Sequence, residues 1–248
     1  MPARKSSAAS ATGTGTSRAA GPVTKLSRSK LELFTDCQKC FWLDVVKGVK
    51  RPPSMPFTLN NAVDYLLKEE FDVHREKGTR HPVMEKFKID AVPFQHADMN
   101  KWRHNFTGVQ FLHKETGILI TGAVDDVWVS PAGELSVVDY KATGAKEHKI
   151  YDSYGRQMTI YQWLLRQNGF KVSPTGYFVF ARVNKADGFG HGDAALAFDL
   201  FVEPFTANDD SWVEHTIVNA RKAMDKETAP EASVNCPYCA YRAAAAHY

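Results

Sequence analysis

The sequence predicts an α/β (α+β) fold in which a central mixed β-sheet is flanked by helices. Three observations carry that prediction. Two runs rich in Val, Trp and Tyr, residues 121–129 and 135–141, flank a turn-forming pentapeptide and read as a hairpin. A long helical stretch and two further strand-like runs follow, so strands, helix and strands succeed one another in the order of a layered α/β protein. The chain has 248 residues, 44% of them hydrophobic, enough for one sizeable core.

The elements follow in order. Residues 1–25 are rich in Ala, Ser, Gly and Thr with scattered Lys and Arg, which predicts a flexible basic tail, with residues 26–248 as a single domain. A helix is expected from Ser27, a capping residue, through Cys37 towards Val46. Pro52, Pro53 and Pro56 break the chain. A second helix, 59–75, carries Leu66, Leu67 and Phe71 on its apolar side. A strand and a short helix are expected before Asn105, then strands over 106–113 and 118–129. The helix over 151–168 carries Gln157, Tyr161, Trp163 and Leu164. Strands over 176–183 and 194–202 precede a last helix, 209–224, and a turn at Cys236. Trp42 and Trp163 sit at helical intervals suited to a core. The run Gly188-Phe189-Gly190-His191-Gly192 lacks the Lys-Ser/Thr of a P-loop and reads as a plain loop.

The hairpin carries the chemistry. In Ser130-Pro131-Ala132-Gly133-Glu134, Pro131 suits the second position of a type I turn and Gly133 the left-handed residue that closes the loop. Pairing Ser130 with Glu134 sets Asp125 opposite Asp139, with β-carbons roughly 5 Å apart. Lys141, two residues on from Asp139, shares its face. Asp126 points to the other face and reads as structural. Two facing carboxylates repel unless a cation lies between them. All-oxygen ligation suits Mg²⁺ or Mn²⁺, with the Tyr140 backbone carbonyl as a further ligand. Lys141 would then orient or deprotonate a water and stabilise charge on a phosphoryl group.

The four cysteines form two C-x-x-C pairs, Cys37/Cys40 and Cys236/Cys239. Brought together, they supply a four-thiolate metal site joining the N- and C-terminal segments. Thiolates select zinc or an iron–sulfur cluster, and spacing does not choose between them. No stretch approaches a membrane span, and no apolar signal-peptide core is present. Net charge is +3, but the first 30 residues hold six Lys or Arg and no acid, leaving 25 basic against 28 acidic groups. The body is therefore not a strongly basic DNA-wrapping surface. Any DNA contact must therefore come from local patches, at 47–51, at 101–104 and in the tail, each of which singly reads as ordinary solvated surface.

These motifs resemble the PD-(D/E)XK nuclease superfamily, and specifically its RecB-like branch. Gly122 to Asp125, Asp139-Tyr140-Lys141 and Gln157-x-x-x-Tyr161 stand in that branch's order. The resemblance implies a restriction-endonuclease-like core, with Asp125, Asp139, Lys141, Gln157 and Tyr161 catalytic. It aligns the branch's Gly-x-x-x-His with Asn60 to Asp64, so Asp64 stands where His is expected. The implied metal set is Asp64, Asp125, Asp139 and the Tyr140 carbonyl, with Glu69 and Glu70 as fallbacks for Asp64. Several members of that branch hold an iron–sulfur clasp with one cysteine before the core and three after it, against two and two here, without the usual last cysteine. The implied group on Cys37, Cys40, Cys236 and Cys239 is a 4Fe–4S cluster, with Zn²⁺ as runner-up. The pattern from Leu26 to Leu31, leading into Cys37 and Phe41-Trp42-Leu43, belongs to the same resemblance.

The function so implied is a Mg²⁺- or Mn²⁺-dependent deoxyribonuclease, an exonuclease before an endonuclease, working on single strands or ends in repair, recombination or defence. DNA, a helicase or another recombination protein are the implied partners. The implied location is cytoplasmic, at the nucleoid in a bacterial or archaeal cell. The alternative is a catalytically weak nuclease fold serving as the DNA-binding subunit of a larger complex.

Overall fold

The computed structural model describes residues 24–53, 58–147, 149–186, 194–246 and 248. The expected tail up to residue 23, Pro56, and the Gly188–Gly192 loop with His191 lie outside the described residues. The chain opens with β1 (Lys25–Ser27), α1 (Arg28–Asp36), α2 (Gln38–Lys47) and α3 (Thr58–Lys77). Short elements follow: α4 (Pro82–Lys86), β2 (Val92–Pro93) and α5 (Met99–Arg103). Next come β3 (Val109–His113), β4 (Ile118–Gly122), β5 (Asp126–Val129), β6 (Leu135–Thr143) and α6 (Asp152–Gln167). The chain finishes with β7 (Thr175–Val183), β8 (Phe198–Thr206), α7 (Ser211–Met224) and α8 (Pro237–Ala245).

Among the described residues the strands form two mixed sheets. The larger runs β2-β5-β6-β7-β8, with β6 and β7 parallel; the smaller runs β1-β4-β3, with β1 and β4 parallel. Alternation along β6 and β7 divides the core in two. Val137, Phe178 and Phe180 pack with Met158 and Leu164 of α6 and Ile217 of α7. Val138, Tyr140 and Val179 face the other way, against Val63, Leu67 and Phe71 of α3 and Met84 of α4. The larger sheet is thus covered on both faces, which explains why its central strands read as apolar runs.

The hairpin forms in the expected register. Ser130 N–H donates to the Glu134 carbonyl at 3.0 Å, Gly133 N–H to the Ser130 carbonyl at 2.9 Å, and Gly133 has φ +73°. Asp126 pairs with Val138, so the next position on each strand holds Asp125 and Asp139.

Several elements differ from expectation. The strand expected over 118–129 is two strands in different sheets. At the break, Val124 N–H leaves the ladder and donates to the Trp102 carbonyl at 3.1 Å. The helix expected from Ser27 to Val46 breaks at Cys37, whose backbone is extended (φ −162°, ψ 109°). Ser27 does not cap through its side chain; its hydroxyl lies 2.8 Å from that of Ser29. Leu66 is 62% exposed, away from the apolar face formed by Val63, Leu67 and Phe71. The expected 194–202 strand runs from 198 to 206, and the Cys236 turn continues into α8 behind Pro237, a residue pre-set for a helix's first turn. Trp42 and Trp163 lie in the core as expected. No described helix is long and apolar enough to cross a membrane.

Candidate active site

The break between β4 and β5 releases Asp125 from the ladder and lets its carboxylate turn inward. One of its oxygens, Oδ2, accepts from Tyr140 N–H at 2.9 Å. A strand residue turns both backbone polar groups to one edge, so the Tyr140 carbonyl faces the same side. Asp139 is 1% exposed. Its Oδ1 accepts from Gln157 Nε2 at 2.6 Å, and its Oδ2 is ion-paired with Lys141. Burial, then the negative charge of Asp125, pushes the Asp139 carboxyl up to about 7 against the opposing pull of Lys141. The Lys141 ammonium lies 4.7 Å from the Tyr154 ring centre, which limits where it can swing.

Helix α6 presents Gln157 and Tyr161 one turn apart, and the Gln157 amide also donates to the Tyr161 hydroxyl at 3.2 Å. Burial raises the Tyr161 phenol to about 12, so it stays a neutral hydroxyl. Its ring packs on Gly122: a β-carbon there would meet Tyr161 Cε1 at 2.7 Å. The glycine of the Gly122–Asp125 motif and the tyrosine of the Gln-x-x-x-Tyr motif are thus two sides of one contact.

From α3, Asp64 reaches the same place. Lys68 lies between it and the hairpin, with Nζ 2.7 Å from Asp64 Oδ2 and 3.3 Å from Asp125 Oδ1. Burial works against the ammonium, but Asp125 and Asp64 hold it above the ordinary lysine range. Asp64 is raised by burial and by Asp125. Its Oδ1 is buried without a hydrogen-bond partner. Apart from Tyr154, all these groups, with Ser27, Arg28, Asn60 and Arg103, line one open cavity of about 750 Å³. The cavity takes in every acid, lysine, glutamine and tyrosine expected from the sequence to carry the chemistry. It does not take in Glu69 or Glu70. Glu69 is exposed, and Glu70 faces His81 at 2.8 Å, so neither fallback reaches the site.

Behind the cavity, Asp126 is fully buried on the opposite face, as alternation requires. It accepts from Arg75 at 2.5 Å and from the Tyr140 hydroxyl at 2.7 Å. Asp72 joins Arg75, through Nε at 2.9 Å, to Arg103, through Nη1 at 2.7 Å. Arg103 Nε also donates to the Asp125 carbonyl at 3.0 Å. This network fixes the backbone from which Asp125 projects. Sequence reasoning missed Lys68 and Arg103. The four-residue spacing from Asp64 to Lys68 was an available signal, since it puts both on one helix face. Arg103 carried none. It stood in the basic patch at 101–104, which read singly as ordinary solvated surface, yet its side chain is 9% exposed. Arg51 of the other patch turns to the cysteines, stacked on Tyr238 at 4.6 Å.

The four cysteines converge as expected. Their sulfurs all lie within 4.8 Å of one another, with Cys40 Sγ 3.6 Å from both Cys236 and Cys239 and Cys37 Sγ 3.9 Å from Cys239. None is in a disulfide. Ser233 N–H points at Cys37 Sγ at 3.5 Å, and Arg51 Nη2 at Cys236 Sγ at 3.6 Å. Burial raises the Cys37 thiol, but N–H groups of Cys40 and Ser233 outweigh it and bring the thiol down to about 6. Among the described residues this is the one set of three or more potential ligands whose donor atoms all crowd so closely.

In the cavity, by contrast, the carboxylates are held against lysine ammoniums. The donors are all hard oxygens, one of them a buried atom with no partner, a set that fits Mg²⁺ or Mn²⁺.

The match to a family model settles the class. The model of the PD-(D/E)XK nuclease superfamily matches residues 58–244, and the chain belongs to that superfamily, whose members are generally nucleases that use divalent metals. The crystal structure of SSO0001 is similar at 13% identity over 92% of this chain and 88% of that one, with a TM-score of 0.39. No curated protein matches the chain at a significant level.

Proposed function

We propose that the chain is a Mg²⁺- or Mn²⁺-dependent deoxyribonuclease of the RecB-like branch, acting on DNA ends or single strands and leaving 5′-phosphate and 3′-hydroxyl termini. The observation that carries this reading is the convergence of Asp125, Asp139, Lys141 and Gln157 on one cavity from a hairpin and a helix. Asp64, Asp125, Asp139 and the Tyr140 carbonyl would hold the ion, which supplies charge neutralisation at the scissile phosphate and activation of the attacking water.

The chain's own groups do the rest. Gln157 fixes the Asp139 carboxylate through one oxygen. Lys141, tethered by Asp139 and bordered by Tyr154, delivers an ammonium to the water and to the charge that builds on the phosphoryl oxygens. Arg28 lines the same cavity beside Ser27 and offers the guanidinium geometry that suits a backbone phosphate. The body of the chain is close to charge balance, which fits transient contact with DNA or work beside a helicase or another recombination protein within the cell.

The test is cleavage of end-labelled single- and double-stranded DNA in Mg²⁺ or Mn²⁺. Lys141→Ala and Asp125→Ala are each expected to abolish cleavage while the circular dichroism spectrum is kept. Undiminished cleavage by either pure variant ends the proposal. The second reading, a DNA-holding subunit with little activity, draws on the Lys68 ammonium lodged between Asp64 and Asp125. Tight binding of DNA that EDTA leaves intact, with no cleavage by the native chain, would favour it.

A further inference from the structure

We propose that Cys37, Cys40, Cys236 and Cys239 hold a single tetrahedral Zn²⁺ ion and not the 4Fe–4S cluster that the resemblance implies. This stands apart from the nuclease reading and survives or fails without it. The argument is one of size. Four thiolates bound to one zinc at about 2.3 Å form a tetrahedron with edges of about 3.8 Å. The sulfur separations here, 3.6, 3.6 and 3.9 Å, match that edge, and no pair exceeds 4.8 Å. A cubane puts an iron and an iron–sulfur bond between its core and each ligand, so its thiolates stand roughly 6 Å apart. The four sulfurs enclose too little space for one.

The surroundings agree. A single ion with four thiolates carries net negative charge, and the Arg51 guanidinium and Ser233 N–H are already aimed at the sulfurs. Among single ions, divalent zinc outcompetes ferrous iron at such a site on intrinsic affinity. The backbone at Cys37 shows how the geometry is reached. Its extended conformation interrupts the helix, so Cys37 precedes α2 and Cys40 sits in that helix's first turn, the two sulfurs facing the Cys236 segment together. The pair at Cys236 and Cys239 repeats the arrangement at the start of α8.

The experiment is metal analysis of the full chain, produced with iron and zinc both supplied and purified without oxygen or chelator. One zinc per chain is expected in a colourless protein, with negligible iron and no acid-labile sulfide. X-ray absorption at the zinc edge should show four sulfurs at about 2.3 Å. Exchange with Co²⁺ should give the intense visible bands of a tetrahedral tetrathiolate. Cys40→Ser and Cys239→Ser should each lose the zinc. If those variants fail to fold, the sulfur count and the cobalt spectrum of the native chain still decide. Stoichiometric iron, with or without sulfide, overturns the proposal, and so does a metal-free protein with its cysteines in disulfides.

Discussion

Asp139 shows how much a single residue's environment can carry. It is buried, faces Asp125 and is steadied by Gln157, and its carboxyl stands near 7 where 3.8 is ordinary. Between those two values the folded chain keeps a proton that the unfolded chain has released, so this residue makes the metal-free protein less stable as pH rises from about 4 to about 7. Thermal unfolding in EDTA should show that decline, and Asp139→Asn should flatten it relative to the native chain. A divalent ion competes with the same proton, so apparent metal affinity should climb through that window. The spacing of Asp125, Asp139, Lys141, Gln157 and Tyr161 was legible in the sequence because strand and helix periods fix which side chains share a face. Lys68 was not read, because a lysine one turn from an aspartate looks like any exposed helix pair until another segment arrives above it.

At the scale of elements, the hairpin was readable to the residue and its flanks were not. Turn chemistry at Pro131 and Gly133 is local and sets the register. The break at Val124 depends on Trp102, far off in sequence, and the break at Cys37 on the C-terminal segment it faces. Composition in a single run cannot report such partners. The α6 boundaries came within a residue because sixteen residues of amphipathic pattern leave little choice. The contact between α3 and the hairpin turns on Arg75 and Asp126. Removing one partner of a buried pair strands the other's charge, at a cost of about 3–5 kcal/mol. Arg103 still lies 3.3 Å from Asp126, so Arg75→Ala should fall at the low end of that range, measured by urea unfolding. Cleavage should weaken as well, because the same network holds the Asp125 backbone.

Across the whole molecule, the cysteines tie together positions about 200 residues apart, Cys37 meeting Cys239 across a separation of 202. Helix α8 has no buried residue of its own, so its attachment rests on Cys236, Cys239 and the stacking of Tyr238 on Arg51. Stripping the metal proposed for these thiolates should therefore release α8 while the sheets persist. Limited proteolysis after chelation is expected to trim the chain beyond α7, with the strand signal in circular dichroism retained and the melting temperature lowered. The pairing of two C-x-x-C motifs was plain in the sequence. Which ion they would suit was not, because that is a matter of ångströms between sulfurs and not of residues between cysteines.

The contact between Gly122 and Tyr161 has a consequence for anyone who would alter this protein. The smallest side chain in the cavity wall sets how deep an aromatic ring can sit, the ring's hydroxyl meets an amide, and that amide grips a carboxylate. A single methyl group added at position 122 would push on the acid from three residues away in space without touching it. Fine adjustment of the proposed reaction centre is open to engineering through a spot that bears no charge and makes no hydrogen bond with its side chain.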